Sequence, residues 1–175
     1  MQIFVSGTWN LEKAQPFSQQ GFELGKNLAI SGYDLACGPG TGMARFVIDG
    51  YRSIEPRGVV RYYLPDRKEM VKVGEEIGEG ADEIIETHAD YPIRNILQVK
   101  ASDGVIIITG GDGTLEEAIT ALADYNLPVA CLANSGSAVR AIALLLDVFP
   151  SWKELVFIGE NVNQLMDYIN QKLHG

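Results

Sequence analysis

Basic residues are scarce in this chain: 14 Lys and Arg stand against 23 Asp and Glu, a formal net charge of −9. A nucleic-acid surface needs a concentrated excess of Lys and Arg, so no nucleic-acid partner is expected. A small phosphorylated ligand stays open, because a few local donors can hold one phosphate against an unfavourable overall field. Cysteine is scarcer still. Cys37 and Cys131 lie at or near the ends of apolar segments, where buried unpaired thiols are the expectation and a disulfide is not. The two histidines, His88 and His174, have no metal-binding partner pattern; H-E-x-x-H and C-x-x-C are both missing, so no metal is expected. No apolar run reaches the length of about 20 residues that spans a bilayer. The opening MQIFVSG moves straight into a strand without a basic or long apolar leader, so no membrane partner and a cytoplasmic location are the expectations. Repeats, low-complexity tracts and linkers are missing too, and 175 residues suit one well-buried domain.

What the chain does have is a stretch from Gly104 to Tyr125, GVIIITGGDGTLEEAITALADY. Val105 to Ile108 form a short run rich in β-branched residues without polar alternation, which predicts a strand buried on both faces of a parallel sheet. Gly110, Gly111 and Gly113 follow and leave backbone N–H groups uncovered where a helix begins, an arrangement suited to a phosphate. Leu115, Ala118, Ile119 and Leu122 recur at helical spacing and are expected to pack that helix on the sheet. Thr114 and Glu117 also match a capping box, in which each side chain satisfies a backbone donor of the other residue.

The remaining chain repeats the strand-and-helix theme. Strands are expected at Gln2 to Val5, Tyr33 to Cys37, Val59 to Leu64, Glu83 to Glu86, Pro128 to Leu132 and Leu155 to Ile158. Helical patterns run through Phe17, Gly21, Leu24 and Leu28, through Met43, Phe46, Val47 and Tyr51, from Ser137 to Phe149, and from Val162 to Leu173. Another helix opens at Asp90-Tyr91-Pro92, with Ile93, Ile96, Leu97 and Lys100 expected to set its face and Arg94 in its first turn. Asp66 to Gly80 read as a charged surface segment, part helical. Such alternation predicts an α/β, Rossmann-like, doubly wound and mostly parallel sheet with helices on both faces.

In such a sheet, ligands bind outside the carboxyl ends of the strands, near the point where strand order reverses. Ser6, Gly7 and Thr8 follow the first strand, and Gly38, Gly40, Thr41, Gly42 and Met43 follow the second. Arg94 and Asn95 open the helix after the fourth, and Gly110 to Glu117 follow the fifth. Connectivity alone brings these loops to one edge. Thr109-Gly110-Gly111-Asp112-Gly113-Thr114-Leu115-Glu116-Glu117 resembles the P-G-G-x-G-T-x-x-E pattern of the LOG family of nucleoside-monophosphate phosphoribohydrolases, also labelled lysine decarboxylase-like, and of the related molybdenum-cofactor carriers. The same glycines spell the G-G-D-G-T of NAD and lipid kinases, but those enzymes add a β-rich domain where this chain continues to alternate.

The resemblance implies hydrolysis of the N-glycosidic bond of a nucleoside 5′-monophosphate to free base and ribose 5-phosphate. It places the catalytic pair on Glu117 and Arg94, and the substrate phosphate on Gly110, Gly111, Gly113 and Thr114. Ser6, Gly7, Thr8, Gly38, Gly40, Thr41, Gly42, Met43 and Asn95 are the further pocket candidates. No cofactor is required for that reaction; a molybdopterin-type cofactor is the cargo under the carrier alternative. A homodimer built from apolar helices, with the site near the interface, is also implied. Three departures from the pattern stand out: Thr109 replaces Pro, Asn95 replaces the Lys of plant-type members, and the Gly38 to Met43 loop is shorter than theirs. At a helix start Glu117 would feel the positive dipole end, so an ionised carboxylate with no raised pKa is expected there.

Overall fold

A computed structural model describes residues 1–175. In chain order it contains β1 (Gln2–Gly7), α1 (Leu11–Ala14), a 3-10 turn (Gln15–Phe17), α2 (Ser18–Ile30), β2 (Asp34–Cys37) and α3 (Met43–Arg52). There follow β3 (Val60–Leu64), α4 (Arg67–Val73), β4 (Glu83–Glu86), α5 (Tyr91–Lys100), β5 (Gly104–Ile108) and α6 (Asp112–Ala123). The chain ends with β6 (Val129–Leu132), α7 (Ser137–Val148), a second 3-10 turn (Pro150–Glu154), β7 (Val156–Gly159) and α8 (Val162–His174). The first helical pattern forms α2, with Phe17 in the turn before it; the short α1 precedes them, and Pro16, which cannot donate a helical hydrogen bond, lies in the turn between the two helices.

All seven strands join one parallel sheet in the order β4-β3-β2-β1-β5-β6-β7. Strand order reverses between β1 and β5, where Ser6 lies beside Ile107 and Gly7 beside Ile108. The fold is the α/β, Rossmann-like, doubly wound arrangement. β1 runs two residues further than the pattern suggested and carries Ser6 and Gly7 to the sheet's carboxyl edge.

Helices cover both faces. Ile3, Val5, Ile106 and Ile108 pack under α2, α3 and α8, while Phe4, Val105 and Ile107 pack under α5, α6 and α7. The alternation along β5 explains why its run is apolar throughout: every residue from Gly104 to Ile108 is buried. Fully burying one such side chain contributes roughly 1.5–3 kcal/mol. The α2 and α3 backbones approach so closely that a Cβ on Gly25 would meet the Val47 carbonyl, and one on Gly50 the Phe22 carbonyl. Glycine permits that contact and a larger residue does not. Cys37 and Cys131 are buried free thiols on β2 and β6. Those strands lie three spacings apart, about 14 Å, well beyond disulfide reach.

Two helices are turned differently from their sequence pattern. On α5 the buried residues are Arg94, Asn95, Gln98 and Val99, whereas Ile93, Leu97 and Lys100 are exposed. The expected apolar face therefore points outward, and the polar face lies against the sheet edge. On α6, Ala118 and Leu122 pack inward as expected, but Ile119 is exposed and Glu117 is buried. No helix is long and apolar enough to cross a membrane.

Candidate functional site

At the carboxyl ends of β1, β2, β5 and β6 lies a cavity of about 760 Å³, within the usual size of a small-molecule site. It sits at the β1–β5 reversal, where the helices diverge to opposite faces and leave a crevice. Ser6, Gly7, Thr8, Gly38, Gly40, Thr41, Arg94, Asn95, Gly110, Gly111, Gly113, Thr114 and Glu117 all line it. Gly42 and Met43 do not. Met43 is buried in the core beneath α2, where Gly7 and Gly21 leave room for its side chain. Gly42 is held against Thr8 and Trp9, and its neighbour's N–H donates to the Thr8 carbonyl at 2.9 Å.

Glu117 is the floor of the site. Its carboxylate is only 8% exposed, and the Ser6 hydroxyl donates to its Oε2. With the Asn95 amide oriented to satisfy its neighbours, Nδ2 donates to Glu117 Oε1 at 3.2 Å and to the Tyr91 carbonyl at 3.2 Å. Both carboxylate oxygens are thereby held, by β1 on one side and α5 on the other. Burial pushes the Glu117 carboxyl up to about 7, and the nearby Arg94 charge and the Ser6 hydrogen bond only partly offset that. The expected low, ionised state is therefore corrected. The reason is positional: α6 begins at Asp112, so Glu117 lies in the second turn, beyond the strongest dipole field and inside the protein. The Thr114–Glu117 capping box does not form either, since Gly111 is the cap and α6 has no side-chain cap.

Arg94 is 7% exposed and makes no ion pair. Its Nη1 donates to the neutral Gln98 Oε1 at 2.9 Å, and its guanidinium lies 5.4 Å from the Tyr91 ring centroid. A Cβ on Gly38 would come within 3.2 Å of Nη1, so the arginine reaches the loop after β2. Glu117 acts on it without a direct ion pair; a buried cation lacking such a contact is costly, and an anion arriving in the cavity would supply one.

The glycine loop is built to present backbone. Thr109 has φ of 72°, a conformation β-branched residues rarely adopt, and Gly110 has φ of 102° with no room for a Cβ beside Thr114. Nothing lies within 4 Å of a Cβ on Gly111 or Gly113, so their surroundings are open. No side-chain or loop acceptor meets the N–H groups of Asp112, Gly113 and Thr114. Asp112 and Glu116 are exposed.

Sequence reasoning missed the loop after β6. Ser135 is buried, accepts from the Thr109 N–H at 3.0 Å and donates to the Leu132 carbonyl at 2.7 Å. Ser137 donates to the Gly110 carbonyl at 3.3 Å, and Ser135, Gly136 and Ser137 line the cavity. The signal was a Ser-Gly-Ser triplet between a strand and a helix, a smaller echo of the loops already marked. Trp9, Asn10, Lys13 and Tyr91 complete the lining nearby.

Comparison with known proteins gives a consistent picture. The model of the SLOG cluster4 family matches residues 1–155. No curated protein sequence matches. Among solved structures, the structural-genomics target TM1055 is 25% identical with a TM-score of 0.80, covering 98% of this chain and 99% of that one. The molybdenum cofactor carrier protein of Chlamydomonas reinhardtii is 21% identical with a TM-score of 0.76, covering 99% and 98%. The molybdenum cofactor binding protein of Rippkaea orientalis is 21% identical with a TM-score of 0.75, covering 98% and 95%.

Proposed function

The chain belongs to the SLOG cluster4 family, and from that premise we propose that it binds a nucleoside 5′-monophosphate and hydrolyses its N-glycosidic bond. The observation that carries the reading is the placing of a buried Arg94, which makes no direct ion pair, near a buried Glu117 held at both oxygens, beside the open α6 N-terminus. The 5′-phosphate would lie against Gly110, Gly111, Gly113 and Thr114, with Arg94 adding a charge-assisted contact.

In the reaction the C1′–N bond breaks and its electron pair leaves with the base, while water supplies the oxygen to C1′ and protons to both products. Positive charge develops on the ribose, and a carboxylate beneath it stabilises that state more than the neutral ground state. Glu117 serves as that anion or as the base that orients water. An ionisation near 7 suits a base working at neutral pH. Ser6 and Asn95 fix its plane. Arg94 favours its charged form.

A second reading, a non-catalytic carrier of a phosphorylated nucleotide or molybdopterin-type cofactor, is favoured by Asn95 at the position where plant-type phosphoribohydrolases have Lys. The cavity suits that cargo too, since the open α6 N–H groups and the unpaired Arg94 would accept its phosphate. A chromatographic assay for free base from AMP, GMP, CMP and an isopentenyl-adenine nucleotide separates the two. Release of base from any of them establishes the hydrolase; measurable binding with no release from all four establishes the carrier.

The same reading includes a homodimer. Ile93 and Leu97 on α5, Ile119 on α6, and Leu144 and Val148 on α7 leave apolar side chains exposed on three adjacent helices. A second copy presents the identical face, and a two-fold pairing covers both at once. Because α5 also carries Arg94 and Asn95 on its inner side, this interface would brace the site. Leu97→Glu is expected to shift the sedimenting species to monomer; a wild type that sediments as monomer at micromolar concentration removes this element.

A further inference from the structure

Trp9 is the largest apolar side chain at the mouth of the cavity, and it is 57% exposed. It stacks on no other ring and makes no hydrogen bond, unlike Trp152, which stacks on Phe149 at 4.6 Å. Of the other aromatic residues lining the cavity, Phe4 is buried in the core and Tyr91 is already occupied: its hydroxyl donates to Glu75 at 2.6 Å and its ring lies by the Arg94 guanidinium. Trp9 alone offers an indole without a partner.

The backbone that carries it is fixed. The Thr8 N–H donates to Thr109 Oγ1 at 3.1 Å, the Thr8 carbonyl accepts from Met43, and Asn10 caps α1 through the Lys13 N–H at 3.0 Å. Gly42 packs directly against the Trp9 backbone, where any side chain would collide. The first of these bonds matters most. Thr109 immediately precedes the glycine loop, so one hydrogen bond joins the residue before Trp9 to the residue before Gly110. β1 and β5, which end there, are neighbours about 4.8 Å apart. Trp9 and the open first turn of α6 thus stand on one braced edge and line the same cavity of about 760 Å³, which is of a size for one small molecule.

We infer that Trp9 is the stacking platform for the planar heteroaromatic ring of the ligand whose phosphate lies against the Gly110–Thr114 loop. This rests on the phosphate-binding reading above and adds the ring subsite to it. A stacked indole recognises a π face rather than a pattern of hydrogen bonds, so it accepts any of several bases. It also suits hydrolysis and carriage equally.

The test uses a protein with Trp152→Phe, which leaves Trp9 as its one tryptophan, and four probes: AMP, GMP, CMP and ribose 5-phosphate, the last having the phosphate without a ring. At least one nucleotide is expected to quench Trp9 fluorescence on binding, with ribose 5-phosphate binding, followed by calorimetry, and leaving it unchanged. In the full-length chain, Trp9→Ala should weaken that nucleotide about 10-fold or more, leave ribose 5-phosphate unaffected, and Trp9→Phe should restore most of the loss. Nucleotide and ribose 5-phosphate affinities that fall together, or an unchanged nucleotide affinity in Trp9→Ala, overturn the ring subsite while leaving phosphate binding intact. Quenching by none of the three nucleotides overturns it as well. If instead ribose 5-phosphate fails to bind while a Trp9-dependent nucleotide binds, the ring subsite holds and the phosphate reading fails.

Discussion

Apart from α2, which follows the 3-10 turn at Phe17 without a side-chain cap, the helices of this protein begin in two ways. α1, α4, α5 and α8 start with Asn10, Asp66, Asp90 and Asn161, whose side chains accept backbone N–H groups of their own first turns. α3, α6 and α7 start with Gly42, Gly111 and Gly136 and have no side-chain cap. These three adjoin the cavity, but they are not equivalent. The Met43 N–H of α3 is taken by the Thr8 carbonyl and the Ala138 N–H of α7 by the Gly110 carbonyl, whereas the first turn of α6 meets no such acceptor. A cap of about 1 kcal/mol has been left out at each of the three, and only at α6 does the protein supply nothing in its place. That end is where the proposed function puts the phosphate.

The largest expected effect breaks the open helix at its chemistry. Glu117→Gln keeps an acceptor for Ser6 and should keep the fold, yet base release is expected to fall on the order of 10² to 10³-fold, as for loss of one preorganised electrostatic group. Equal turnover in variant and wild type would leave Glu117 a structural residue only.

Next comes the loop itself. A Cβ on Gly111 meets no atom within 4 Å, and Gly111→Val would cover the N–H groups, so the preference for AMP over adenosine is expected to drop by roughly 10-fold or more while the protein stays folded, as checked by its melting temperature. Gly110→Val is the control of opposite kind: at φ of 102° and against Thr114 it should lower the melting temperature, at a cost of about 1–3 kcal/mol. If calorimetry on the wild type finds adenosine bound as tightly as AMP, the contrast between the helix starts has no functional meaning.

A pH series sharpens the same comparison. Because the folded carboxyl of Glu117 is raised from 4.5 to about 7, the native state holds the proton more tightly than the unfolded chain. The resulting stability is fully present below about pH 4.5 and is lost as pH rises through 7. Denaturant titrations should show this decline in wild type and not in Glu117→Gln. Activity has the opposite sign, since the ionised form works: kcat/KM is expected to rise through pH 7. A flat profile from pH 5.5 to 8 would remove Glu117 as the ionising group.

The smallest effect lies on the capped side. Asp90→Ala removes the acceptor that meets the Ile93 N–H at 3.1 Å and should cost about 1 kcal/mol of stability. The preference for nucleotide over nucleoside should persist, because that cap serves the helix and not the ligand.

By itself the sequence determined the alternation of strands and helices, the parallel sheet and the gathering of loops at one edge. Local patterns suffice there: β5 is apolar at every position because both its faces are covered, and right-handed crossovers leave its following loop beside that of β1. The places of Glu117 and Arg94, each in a helix that follows a strand, were legible for the same reason, whereas their selection as a pair came from the family resemblance. Tertiary structure alone decided which way α5 faces. Ile93, Ile96 and Leu97 form a recognisable apolar stripe, yet Arg94, Asn95 and Gln98 are the residues turned inward, because the cavity beneath needs polar groups and the stripe is left for a surface. The ionisation of Glu117 was equally hidden. Its place in the second turn of α6, enclosed by Ser6 from β1 and Asn95 from α5, removes water from the carboxylate. Desolvation is set by atoms from three separate elements, and no spacing within one helix records it.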